Sequence, residues 1–352
     1  MKKKLLVIVM AIAVIFALAA CGGSSSDSGS AAGTADSGQK FDLKFSIEGS
    51  DQISFNKMWV EWAEKVKEAT DGNVNTQFYF DATLLDSNAA YQQLVSGVAD
   101  IGDIHRYASD GFVVAEKWKG LTLGVPEEGI IDVPKKMFEA IPALADEYKD
   151  VKILAYAFDG ATYELLTVKK KVEKADDLKG MVIWCEADFN DFFKELGATT
   201  VNTPFSEVYS SLQKNMYDGM FIAAETLDSC NFKEVCKYVT MVDMCYAAAP
   251  GHLMNMDTWN SLPEEYQQAI DDPELVSWVE NTRNDLVKEN NDAAIKNAPD
   301  NGVEVVEISE EEHQKFIDAA NKAKEGMVEE WNKQGLPGTE ILDKFVEICG
   351  TY

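Results

Sequence analysis

Alternating strand and helix patterns predict an α/β fold built as two lobes. Short segments with period-two apolar alternation are each followed by stretches whose apolar residues recur every three or four positions. The strand–helix–strand order occurs between Phe41 and Ile101 and again between Asp176 and Gly219. The 312 residues after Lys40 suit about two domains.

The elements follow in order. Phe41 to Glu48 alternates apolar and polar, a strand pattern. Phe55, Met58, Trp59, Trp62 and Val66 recur at helical spacing, with Gly72 as a stop signal; this aromatic stripe reads as core. Val74 to Phe80 is a second strand, Tyr91 to Val98 a second helix, and a short strand lies near Ile101. This order predicts parallel strands joined by crossover helices. Pro134 to Tyr148 is helical, and Val151 to Phe158 and Glu164 to Lys169 are strands. A second βαβα run spans Asp176 to Gly219. Met254 to Met256 forms a strand, Leu262-Pro263 opens a helical stretch, and Leu275 to Ala298 reads as one long helix. Val303 to Ile308 is a strand, and Ser309 to Cys349 is mainly helical. Lobe I is expected from residues 41–158 plus about 245–280, and lobe II from 159–244 plus about 281–352.

Met1-Lys2-Lys3-Lys4 precedes a 16-residue apolar run, Leu5 to Ala20, short for a membrane span and suited to a signal-peptide core. It ends Leu18-Ala19-Ala20-Cys21-Gly22, which resembles a bacterial lipobox; that resemblance implies cleavage before Cys21 and a lipid on its thiol. Residues 21–40 then form a tether: Gly22 to Gln39 holds no large apolar side chain and cannot bury enough surface to fold. The expected location is extracytoplasmic, with the membrane contacted through the N-terminal lipid only.

Loss of the first 20 residues leaves 29 basic against 60 acidic side chains, a net charge of −31. Such a surface argues against nucleic acid as a partner and steers cations mildly inward. Five cysteines remain besides Cys21, namely Cys185, Cys230, Cys236, Cys245 and Cys349; an odd number outside the cell leaves a free thiol unless chains cross-link. They read as small buried apolar side chains, with a disulfide among Cys230, Cys236 and Cys245 as the alternative. Their spacing and the scattered His105, His252 and His313 fit no metal site. No nucleophile elbow, Walker loop or His-Glu-x-x-His is present, so neither catalysis nor a cofactor is expected.

Asp177-Leu178-Lys179-Gly180, Pro204-Phe205-Ser206-Glu207-Val208-Tyr209 and Tyr217-Asp218-Gly219, with Trp259…Leu262-Pro263-Glu264-Glu265 further on, resemble the signature of the solute-binding proteins of TRAP transporters. That resemblance extends over nearly all of the chain after the tether. It implies a periplasmic-binding-protein-like fold, with hinge strands, a long helix crossing both lobes, a small-molecule solute, and delivery to TRAP transporter membrane subunits. It also implies an arginine in the strand after Leu-Lys-Gly, a second in the strand before it, and an asparagine after Asp-Gly. Here those positions are Trp184, Glu164 and Ile222.

Replacing a carboxylate clamp with an indole, an acid and an aliphatic residue predicts a cationic, neutral or aromatic ligand. A ring face beside a carboxylate suits a cation, worth about 0.5–2 kcal/mol. Trp184, Phe221 and Glu164 are the expected wall. Glu48 and Phe158, where strands open into a cleft, are further candidates, and Arg106 is the candidate for a relocated carboxylate clamp. A lipoprotein of the same fold serving a sensor is the alternative role.

Overall fold

The computed structural model describes residues 38–104, 112–157 and 159–352. Two sheets organise them. The first has five strands in the order β2-β1-β3-β10-β4: β1 (Phe41–Ser46), β2 (Val74–Tyr79), β3 (Ile101–Asp103), β4 (Val151–Ala155) and β10 (His252–Asn255). The second has six in the order β11-β9-β5-β8-β6-β7. These are β5 (Ala161–Thr167), β6 (Val182–Trp184), β7 (Thr199–Val201), β8 (Gly219–Ile222), β9 (Tyr238–Tyr246) and β11 (Glu304–Glu307). The predicted α/β fold with two lobes is therefore present.

Parallel pairing holds where a helix joins neighbouring strands, as in β1 with β2 and β3, and β6 with β7 and β8. It fails where the chain passes between the sheets: β10 runs antiparallel to β3 and β4, and β5 antiparallel to β8 and β9. A strand that enters from the other lobe has no crossover helix to reverse it, so both sheets are mixed.

The segments following β4 and β9 pass between the sheets, and the helix Pro273–Asn297 packs against both β4 and β5. That helix starts at the Asp272 side chain, which accepts the N–H groups of Glu274 and Leu275. Among the described residues no helix is long and apolar enough to cross a membrane.

The aromatic stripe of the helix Ser54–Ala69 is core, as expected. Trp59 and Trp62 are buried against Phe45 of β1, with ring centroids 5.5 and 6.3 Å apart. In the second lobe, Phe189, Phe192 and Phe193 close on Phe221. The helical stretch expected from Pro134 to Tyr148 divides into Asp132–Ala140 and Pro142–Glu147, because the residue before a proline is driven out of helical backbone.

Two expectations are corrected. Strand β9 has no counterpart in the sequence reading: with six of nine residues buried it shows no period-two alternation. The tail was expected in lobe II throughout, but the helix Gly338–Cys349 packs on Asp132–Ala140 and places Ile341, Phe345 and Ile348 in the core beside Trp118 and Phe138 of lobe I. Cys185, Cys230, Cys236, Cys245 and Cys349 are all free thiols. Burial pushes the thiols of Cys185, Cys236 and Cys245 up to about 12, so they are inert apolar filling.

Candidate functional site

In open α/β sheets a ligand sits beyond the carboxyl ends of the strands. At that edge of the first sheet lies a cavity of about 340 Å³. Glu48 follows β1 and Asp103 ends β3, so the strand direction that builds the sheet brings both carboxylates to one rim. Ala157 and Asp159 come from the passage between β4 and β5, and His252 opens β10. Phe55, Met58 and Trp59, from the first turns of Ser54–Ala69, form the apolar wall. Arg283 enters from Pro273–Asn297.

Polar contacts fix this rim. The Glu48 N–H donates to an Asp103 carboxylate oxygen at 3.4 Å, and His252 Nε2 lies 3.9 Å from the other. The His252 ring lies 4.3 Å, centroid to centroid, from Trp59. The indole Nε1 of Trp59 is buried and makes no hydrogen bond among the described residues. Arg283 is 8% exposed; it donates to the Gly160 carbonyl, and its guanidinium lies 5.5 Å above the Phe55 ring. Burial pulls the Arg283 pKa down, against the opposing pull of Asp159, Tyr246 and Tyr163.

Behind this wall lies a charged cluster. Lys119 Nζ is 3.0 Å from Asp159 and 2.5 Å from Glu186, and sits 5.5 Å above the Tyr246 ring. The Tyr163 hydroxyl donates to Glu186 at 3.2 Å. Asp159 thus faces the cavity while Lys119 partly neutralises it.

Of the residues singled out from sequence, Glu48 lines the cavity. Phe158 lies outside the described residues; its neighbours Ala157 and Asp159 line the cavity. Arg106 and Cys21 also lie outside the described residues. Trp184, Phe221 and Glu164 are not brought together into one chamber. Strand side chains alternate in direction. Glu164 stands opposite Ile222 in the register, while Phe221 points to the other face, into Tyr163 and the phenylalanine cluster. Trp184 is buried, its Nε1 donating to the Thr203 carbonyl at 3.0 Å and its ring packed on Phe205. Ile222 is buried in the same core.

Glu164 has a structural task. The β5–β9 register shifts between Tyr163 and Leu165, and Asp243 opposite adopts a φ of 49°. Such a bulge frees backbone N–H groups from the ladder. One Glu164 oxygen accepts two of them, from Val242 at 2.6 Å and Asp243 at 3.1 Å. Burial, reinforced by Asp243, pushes the Glu164 carboxyl well above the usual carboxylate range. A carboxyl whose charge is disfavoured this way is a poor counter-ion for a cation.

Trp59, Asp103, Asp159, His252 and Arg283 line the same cavity without having been singled out from the sequence. Trp59 belongs to the core stripe, its ring and its buried N–H alike. One available signal was composition: the chain contains two arginines, Arg106 and Arg283, against 30 lysines. A chain that uses lysine for its surface and keeps an arginine on the buried face of a helix marks that arginine for bidentate chemistry.

A model of the bacterial extracellular solute-binding protein family 7 matches residues 45–330. The 2,3-diketo-L-gulonate-binding periplasmic protein of Escherichia coli is 26% identical over 321 residues, which are 86% of this chain and 91% of that protein. An uncharacterized Haemophilus influenzae protein is 30% identical over 120 residues, 33% of this chain and 35% of its own length. Among solved structures, a TRAP periplasmic solute-binding protein of Desulfovibrio salexigens, in an open complex, superposes with a TM-score of 0.71 at 24% identity, covering 89% of this chain and 97% of that one. A marine metagenome TRAP solute-binding protein specific for aromatic acid ligands gives 0.72 at 23% identity, covering 89% and 99%.

Proposed function

The chain belongs to family 7 of the bacterial extracellular solute-binding proteins and is a TRAP-type solute receptor; from that premise we propose that its solute binds in the 340 Å³ cavity and presents a cationic or hydrogen-donating group to Glu48 and Asp103. The observation that carries this reading is the wall itself. Three carboxylates line the cavity, and Arg283 is the one permanent cation among its described lining residues. The Phe55 and Trp59 rings add faces that favour a cation or an apolar body. The volume lies in the lower range for small-molecule sites.

In this reading the receptor captures its solute unchanged, without catalysis, and passes it to membrane permease subunits after the lobes close by hinge motion. The Leu18-to-Cys21 motif and the apolar-poor stretch after it support a lipid anchor at Cys21. Release of the Cys21→Ser protein from the membrane fraction is the expected result, and its full retention would sink the anchor.

Titration calorimetry tests the cavity. Primary amines are expected to bind more tightly than succinate, and Glu48→Gln to weaken the best amine at least tenfold. Tight succinate binding that persists in Glu48→Gln would overturn the reading.

A further inference from the structure

We propose that Glu164 and Asp243 form a proton-operated joint between the lobes. While the two acids share a proton, the bulge of β5 on β9 stays closed; losing that proton loosens it. The joint acts whichever solute the cavity takes.

Both chain passages meet the second sheet at this strand pair. β5 begins at Ala161, directly after the passage from β4, and β9 ends at Tyr246, directly before the passage to β10. Relative motion of the lobes therefore bends these two strands near their ends, and hinges absorb such changes at a few element-terminal residues. The register of the pair breaks between Tyr163 and Leu165. Asp243, opposite the break, holds a left-handed φ of 49°, and backbone strain of that kind gathers at functional and switching sites. Beside the break lies a second cavity, of about 100 Å³, walled by Glu164 and Asp243 from the strands and by Asn284 and Asn291 from the helix Pro273–Asn297. It gives the bulge room to open.

Glu164 holds the break together. One of its oxygens accepts the Val242 and Asp243 N–H groups, and the Glu164 and Asp243 carboxyls hydrogen-bond each other. Two carboxylates cannot do this, because an ionised carboxyl only accepts; one of the pair holds a proton. Glu164 is 2% exposed whereas Asp243 is exposed, so the proton sits on Glu164, whose charge water cannot stabilise. Once it leaves, two negative charges face each other across the break, and parting β9 from β5 relieves them. The other titratable groups around the pair do not replace the proton. Glu127, Lys288 and Asp292 line the same cavity, with Lys288 2.8 Å from Glu127 and 3.9 Å from Asp292. Cys245 Sγ lies 3.0 Å from the Thr162 hydroxyl, and His313 Nδ1 pairs with the Val242 carbonyl at 3.0 Å.

Hydrogen exchange on the full protein, read by mass spectrometry as protection factors, tests the joint between about pH 5 and about pH 9. Protection of residues 241–243 is expected to fall at least tenfold over that range, and that of β1 less than threefold. Glu164→Gln keeps an oxygen for both N–H groups and offers Asp243 an amide that does not titrate, so its protection is expected to change less than threefold. Asp243→Asn removes the facing charge and is expected to do the same. An acid raised by folding lends stability that is whole below its unfolded value and is lost as the pH rises through the folded one. Urea denaturation should therefore find the wild type losing stability relative to Glu164→Gln as the pH rises. If Glu164→Gln does not fold, Asp243→Asn, at an exposed position, decides. A wild-type segment whose protection ignores pH, or a fall that persists in either variant, overturns the joint.

Discussion

Lys119→Met is expected to lower the unfolding free energy by about 3 kcal/mol. The ammonium is the shared partner of Asp159 and Glu186, and Tyr246 lies beneath it. Methionine keeps the stem and removes the charge, so two acids lose their shared contact with Lys119, beside Asp188, whose carboxyl burial already raises to about 6. Breaking a buried pair costs about 3–5 kcal/mol. The lower edge applies because the two carboxylates are 35% and 33% exposed and water recovers part of the loss. Burial opposes the Lys119 charge, but Asp159, Tyr246 and Glu186 outweigh it and hold the amine well above the usual lysine range. A base raised in the folded state adds stability that is complete below its unfolded value and disappears only as the pH climbs through the folded one. The lysine's own contribution is therefore constant across neutral pH and fades in alkali. Urea denaturation of both proteins measures it; a difference under 1 kcal/mol would show that the cluster is held by packing alone.

Gly160→Ala is expected to cost roughly 2–5 kcal/mol and to weaken solute binding as well. Gly160 has a φ of +66°, and a Cβ there would lie 2.7 Å from both the backbone nitrogen and Cα of Ala248. These two residues belong to the two chain passages between the sheets, which touch backbone to backbone. The left-handed conformation costs a non-glycine residue about 1–2 kcal/mol, and the overlap adds about 1–3 kcal/mol. Gly180 separates the two contributions. Its φ is +76°, but nothing lies within 4 Å of the added carbon. Gly180→Ala should cost only about 1–2 kcal/mol. Equal losses in the two variants, by thermal melting, would show that the passages can part without penalty. The carbonyl of Gly160 also receives Arg283, so movement of this residue turns the guanidinium.

Much of this architecture was written locally. The helix Ser54–Ala69, the strand Val74–Tyr79 and the helix Pro273–Asn297 each announce themselves through periodicity and caps, because those signals act between neighbours in sequence. The site was legible only in part. The cavity position of Glu48 follows from a local feature, a strand end that sheet geometry assigns a place. Glu164 misled because its residue type says nothing of the bulge it satisfies, which exists only once β5 meets β9. Arg283 was silent for a similar reason: what packs on the buried face of its helix comes from distant parts of the chain. The destination of Gly338–Cys349 depends on lobe I residues about 200 positions earlier, beyond the range of any pattern in the segment itself.

That last contact has a consequence for biosynthesis. Lobe I is complete only when Ile341, Phe345 and Ile348 reach a core begun by Phe112 and Trp118. Lobe II waits for β11, which pairs with β9 from some sixty residues further along the chain. Neither half can reach its final packing until those late segments have been made. For a chain that is exported before it folds, such interleaved wiring delays the closing of both lobes until late in synthesis.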